Sequence, residues 1–173
     1  MTAATASQTI GPYWHLIEDK SWADLTRFGA EGERIVLTGA VIDGDGAPFA
    51  DGCVEIWQAD PPASDSFPGF GRSVIDRYGN YHLVTMKPGP VPGRGNAQQA
   101  PHIAICILGR GLMHHLVTRA YFAGETLNAT DPLLTSIEEP ARRATLIARN
   151  DAPGVWRLDI RLQGGNETVF LDI

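Results

Sequence analysis

The residues with chemical potential cluster in one stretch, APHIAICILGRGL, residues 100–112. His102, Ala104 and Cys106 alternate there with Ile103, Ile105 and Ile107. That two-residue period is the mark of a β-strand, whose side chains point to opposite faces in turn. A His-x-His pair on such a strand would aim two imidazoles at one point and form half of a metal site. Here the second position is Ala104. His114 and His115 follow, but on an extended chain they face opposite ways, so only one could join His102. No carboxylate with ligand spacing stands nearby, and packed or surface histidines are the better reading of this set. Cys106 sits among isoleucines, where nothing would lower its thiol pKa. The chain has no G-x-S-x-G elbow and no glycine-rich phosphate loop ahead of a helix. Asp43-Gly44-Asp45-Gly46 imitates the start of a calcium loop, yet the fifth position is Ala47, the sixth Pro48 and the twelfth Val54. The calcium pattern fails, and the segment reads as a hairpin turn. Arg110 lies between two glycines just after a strand, where the backbone can approach a ligand closely. On pattern alone it reads as a solvated turn arginine, as do Arg72, Arg94 and Arg119.

The elements that would position these residues are mostly strands. Residues 34–42 are β-rich, and CVEIWQAD, residues 53–60, is a second strand. Residues 73–87 read as two short strands joined near Tyr78-Gly79-Asn80, and residues 114–122 as another. Two long irregular loops interrupt the pattern, PPASDSFPGFGRS after residue 60 and PGPVPGRGNAQQAP over residues 88–101. Long loops in a compact domain are often functional. Residues 21–33 hold a helical turn. Residues 131–150 form the best helical stretch, capped by Asp131, opened by Pro132 and split at Pro140. Near the end Trp156, Leu158, Ile160 and Leu162 take one face and Arg157, Asp159, Arg161 and Gln163 the other. Gly164-Gly165-Asn166 then turns the chain into a closing strand. Many short strands with turn signals between them predict an all-β fold, a β-sandwich.

The chain has 173 residues, 43% hydrophobic and 20% charged, which fits one globular domain. Its formal charge of −6 argues against nucleic acid or an anionic membrane as a partner. Cys53 and Cys106 both lie in strand-like runs and read as buried free thiols, a disulfide between them being the alternative that nothing in the sequence supports. The N-terminal MTAATASQTIGPYW has neither a basic nor an apolar leader region, and no apolar run reaches membrane-spanning length. These features predict a cytoplasmic protein. SQTIGPYW turns abruptly aromatic, as a tail does when it packs on another surface.

The order SQTIGPYW, GAVIDGDG, CVEIWQAD, GNYHLVTMKPGPVP, APHIAICILGRGL, LVTRAYF and GNETVFLDI resembles the intradiol ring-cleaving dioxygenases. The resemblance runs from about Ser7 to Ile173. It implies a β-sandwich of mixed and antiparallel strands with short helical segments and long loops. It also implies a non-haem Fe(III) centre held by two tyrosinates and two histidines. Carried over one by one, those ligands are mostly missing. The loop after the WQA strand contains no tyrosine, the position after KPGP is Val91, and the second histidine falls at Ala104. Only His102 matches, as the remnant of a ligand set. The closer likeness is to the α chain of a two-chain member, in which a related β chain carries the iron and the two chains occur in equal numbers. The implied substrates are 3,4-dihydroxybenzoate (protocatechuate) and O₂. Residues 1–12 would then be an extension reaching the partner, and residues 13–173 the sandwich domain. Thr9, Gly11, Pro12, Tyr13 and Arg110 are the residues expected to line the substrate pocket shared with the partner. Trp14, Trp22 and Phe28 are expected at the subunit interface. A free-standing β-sandwich binding module and a subunit acting on another catechol are the alternatives.

Overall fold

The computed structural model describes Ala6, residues 8–13, Leu16 and residues 18–172. Eleven strands are described: β1 (Arg34–Ile42), β2 (Gly52–Trp57), β3 (Phe70–Ile75), β4 (Asn80–Met86), β5 (Val91–Pro92), β6 (Gln98–Gln99), β7 (His102–Gly109), β8 (Leu116–Phe122), β9 (Ile147–Ala152), β10 (Val155–Arg157) and β11 (Ile160–Arg161). Nine of them form one mixed sheet in the order β11-β1-β10-β9-β8-β7-β2-β3, with β4 on the other edge of β1, and β5 pairs with β6. The sheet curves nearly into a barrel, so that β3 and β4 approach and two sheet faces enclose one core. This is the predicted all-β architecture.

Alternation explains the core. Ile35, Leu37 and Val41 of β1, Leu83 of β4, Val54 and Ile56 of β2, and Ile103, Ile105 and Ile107 of β7 are all essentially buried. Each such side chain contributes roughly 1.5–3 kcal/mol on leaving water. The other face of β7, carrying His102, Ala104, Cys106 and Leu108, is only half-buried. Among the described residues, three cavities lie along that face.

Several expectations need correcting. The helical stretch shrinks to two single-turn pieces, α1 (Pro132–Ser136) and α2 (Pro140–Ala144), and Ile147–Ala152 is strand β9. The β-branched Ile147 follows a buried Leu146, and the segment gains a parallel ladder with β8 that a frayed helix end would lack. The alternating face of residues 156–162 is real, but the segment is two short strands, each parallel to β1, broken around Leu158. The closing strand is reduced to one bridge between Val117 and Leu171. β8 starts at Leu116, leaving His114 and His115 in the preceding turn. Asp43–Gly46 is the expected turn, with Asp43 Oδ1 accepting from the amides of Asp45 and Ala47.

Candidate functional site

Two motifs build the wall of a cavity by hydrogen bonding to each other. Buried Gln58, in the WQAD motif, donates to the carbonyls of Asp60 (2.7 Å) and Met86 (3.0 Å) and accepts from Thr85 Oγ1 at 2.6 Å. Asp60 Oδ2 accepts from the amide of Gly89, in KPGP, at 2.6 Å. The two long loops are thereby laced together beside the start of β7. They enclose a cavity of about 480 Å³ lined by Trp57, Asp60, Val91, Gln99, His102 and Arg119, among others.

His102 is fixed in that cavity. Its Nδ1 donates to the carbonyl of Ala100 at 2.8 Å, and its ring lies 5.4 Å from that of Tyr121. Burial pushes its pKa below the ordinary histidine value, assisted by the nearby Arg119 and opposed by the Ala100 carbonyl and Asp131. Tyr121 stands across the ladder from His102 but donates its hydroxyl to Asp131 at 3.0 Å. Burial pushes the Tyr121 phenol well above its ordinary range, and its proton is committed to Asp131. Ala104 stands across from Arg119, whose Nη1 donates to Gln99 Oε1 (2.8 Å) and Tyr121 Oη (3.2 Å).

These residues do not fit a ferric ion. Val91 and Ala104 offer no donor atom, His102 has one ring nitrogen left, and a guanidinium stands opposite Ala104. Among the described residues no group of three or more His, Cys, Asp or Glu side chains converges in a way that could hold a metal. His114 and His115 precede β8 beside the Leu108–Gly109 end of β7, roughly 20 Å along the strand from His102 at 3.3 Å per residue.

The opposite end of β7 gathers part of the predicted pocket set. Thr9 Oγ1 donates to the Gly109 carbonyl at 2.9 Å and accepts from the Gly111 amide at 3.1 Å. The N-terminal segment is thus clamped to the turn that presents Arg110. Arg110 is mostly exposed, 3.6 Å from Asp51. Gly11 has φ +73°, a conformation L side chains rarely adopt, and Tyr13 is 73% exposed. Thr9 and Arg110 therefore come together, whereas His102 lies far from both. Trp22 and Phe28 are exposed, with Arg27 over the Phe28 ring at 4.3 Å. Trp14 lies outside the described residues.

Two arginines read as solvated are not. Arg72 pairs with Glu55 across β2 and β3, and Arg119 is half-buried in the cavity; Arg94 is exposed as expected. Alternation places Arg119 on the half-buried face of β8, but its partners, Ala104 and Gln99, come from other segments. The cysteines are free, and burial pushes Cys53 up to about 12 and Cys106 to about 11.

This sheet, with a lateral cavity built from WQAD and KPGP loops, is the framework of a dioxygenase. The family model described as Dioxygenase matches residues 11–164, and the chain belongs to that family, as part of an intradiol oxidoreductase. Within it the chain is 40% identical to the protocatechuate 3,4-dioxygenase alpha chain of Pseudomonas putida, over 97% of this chain and 96% of that one. It is 38% identical to the protocatechuate 3,4-dioxygenase beta chain of Burkholderia cepacia, over 79% of this chain and 67% of that one. Among solved structures it resembles the dioxygenase domain of a carbohydrate-binding fusion from Streptomyces sp. SirexAA-E. There the TM-score is 0.64 at 26% identity, covering 96% of this chain and 100% of that one. No helix among the described residues is long and apolar enough to cross a membrane.

Proposed function

We propose that this chain is the α-type subunit of a cytoplasmic two-chain enzyme that opens the ring of protocatechuate with O₂ to give 3-carboxy-cis,cis-muconate. The ferric ion is held by a β-type partner present in equal number. The observation that carries this reading is the donor set: His102, Val91 and Ala104 supply one free imidazole nitrogen, with Arg119 facing Ala104. The likeness to both an alpha and a beta chain supports a pairing of related folds.

In this reading residues 1–12 reach the partner, and Thr9, Gly11, Pro12, Tyr13 and Arg110 form one wall of its substrate pocket. The clamp of Thr9 on the Arg110 turn supports that role, because it presents extension and guanidinium as one exposed surface. A guanidinium at the mouth of the pocket favours an anionic substrate.

The test is expression with and without the β-type partner, scoring iron content and oxygen uptake on protocatechuate and on uncharged catechols. The expected result is iron and uptake only for the pair, with protocatechuate preferred. Stoichiometric iron in this chain alone would overturn the reading.

A further inference from the structure

We propose that the cavity around Arg119 binds a small organic carboxylate whose flat apolar body lies against Trp57 and the proline wall. The inference stands on this cavity and does not depend on the pairing proposed above. Four observations carry it. The first is volume: about 480 Å³ accommodates a single-ring acid. The second is charge. Among the described residues no carboxylate forms an ion pair with Arg119, although eight other ion pairs are formed. Among the described residues, only Nη1 is tied down, to the neutral acceptors Gln99 Oε1 and Tyr121 Oη, which orient the guanidinium without neutralising it.

The third is the neighbour across the ladder. Ala104, paired with Arg119 in the register, carries no charged or polar group that could engage the guanidinium. The fourth is the wall. Trp57, 55% exposed, and Pro62, Pro90, Val91 and Pro92 give an apolar surface beside one charged fork. Asp60 also lines the cavity and carries negative charge, but one of its oxygens is engaged by the Gly89 amide. It disfavours a second acidic group on the ligand. His102, with Nδ1 committed to the Ala100 carbonyl, presents Nε2 as an acceptor for a ligand hydroxyl.

The probe is benzoate, with benzamide as its uncharged counterpart, titrated into the full chain by calorimetry and by intrinsic tryptophan fluorescence. The expected result is one benzoate per chain. Binding should weaken at least about tenfold in Arg119→Gln and for benzamide, as loss of a charge-assisted contact requires. Val91→Trp, which fills the cavity without touching a charge, should abolish it. If the chain is obtained only with its partner, the wild-type minus Arg119→Gln difference counts the sites, with one expected per copy of this chain. Circular dichroism and melting confirm that each variant is folded, and Val91→Trp decides the matter if Arg119→Gln does not fold. No binding at millimolar benzoate, or binding unchanged in a folded variant of either kind, overturns the proposal.

Discussion

His102 and Tyr121 face each other across the β7–β8 ladder, and the buried Asp131 carboxylate holds Tyr121 directly and the Ala100 backbone to which His102 bonds. Tyr121 donates to Asp131 Oδ1, and the Ala100 amide donates to Oδ2 at 2.8 Å. Ala100 in turn accepts the His102 Nδ1 proton. The Ala100 carbonyl sets the tautomer of the cavity histidine, and the helix cap anchors the residue that carries that carbonyl.

The first prediction concerns acid. Burial holds the folded-state pKa of His102 below its ordinary value, so the unfolded chain takes up this proton first. Stability linked to His102 is present above the unfolded value of about 6.5 and is lost as pH falls from there toward the folded pKa. Urea unfolding from about pH 7.5 to 5.5 should show a steeper loss for the wild type than for His102→Gln. Equal slopes would mean that the imidazole is solvated.

Asp131 itself is the second. It accepts from Leu133 (2.9 Å) and Leu134 (3.0 Å) at the start of α1, besides Ala100 and Tyr121. Asp131→Ala strands four donors, three of them main-chain. The expected cost is about 2–4 kcal/mol, a cap plus buried unsatisfied groups, read from the urea midpoint. A loss below about 1 kcal/mol would show that water replaces the carboxylate.

How much of this was legible in the sequence depends on the range of the interaction. The strand over APHIAICIL and the cap at Asp131 are local patterns and stand as read. That Val91 and Ala104 stand where ligands would be expected follows from the family resemblance alone and from no local pattern in the chain. Arg119 was not, because its surroundings are Ala104 across a ladder and Gln99 from a loop, neither of which LVTRAYF announces. β9 was missed for the same reason: its parallel partner β8 lies beyond two helices, so only tertiary pairing overrides the helical composition. Trp57 alternates with Ile56 as a strand residue should, but its exposure at a cavity mouth depends on loops whose path no periodicity gives.

Gly39 gives the third prediction. A Cβ there would run into the Leu158 carbonyl oxygen and lie 2.9 Å from the Tyr81 ring. Tyr81 Oη donates to that same carbonyl at 2.7 Å, so neither neighbour has room to retreat. Gly39→Ala should cost at least about 3 kcal/mol by urea denaturation. Gly165→Ala, whose Cβ meets nothing within 4 Å, should stay within about 0.5 kcal/mol. A tolerated Gly39→Ala would mean that β1 and the Leu158 segment separate more easily than their packing implies.

The last prediction addresses the far end of β7. Arg110 is exposed, its ion pair with Asp51 is long at 3.6 Å, and it is the backbone of its turn, not its side chain, that bonds to Thr9 and to the Asp51 carbonyl. Removing its side chain should therefore leave the fold intact, because a surface pair of this kind contributes at most about 1 kcal/mol. In the assembled enzyme Arg110→Ala should lower kcat/KM on protocatechuate at least about tenfold while iron content and melting temperature stay unchanged. Thr9→Val removes both hydrogen bonds that clamp the extension but keeps the guanidinium, so it should cost less activity than Arg110→Ala. Loss of iron from Arg110→Ala would place this arginine in the support of the metal rather than at the substrate. Unchanged kinetics would remove it from the pocket altogether.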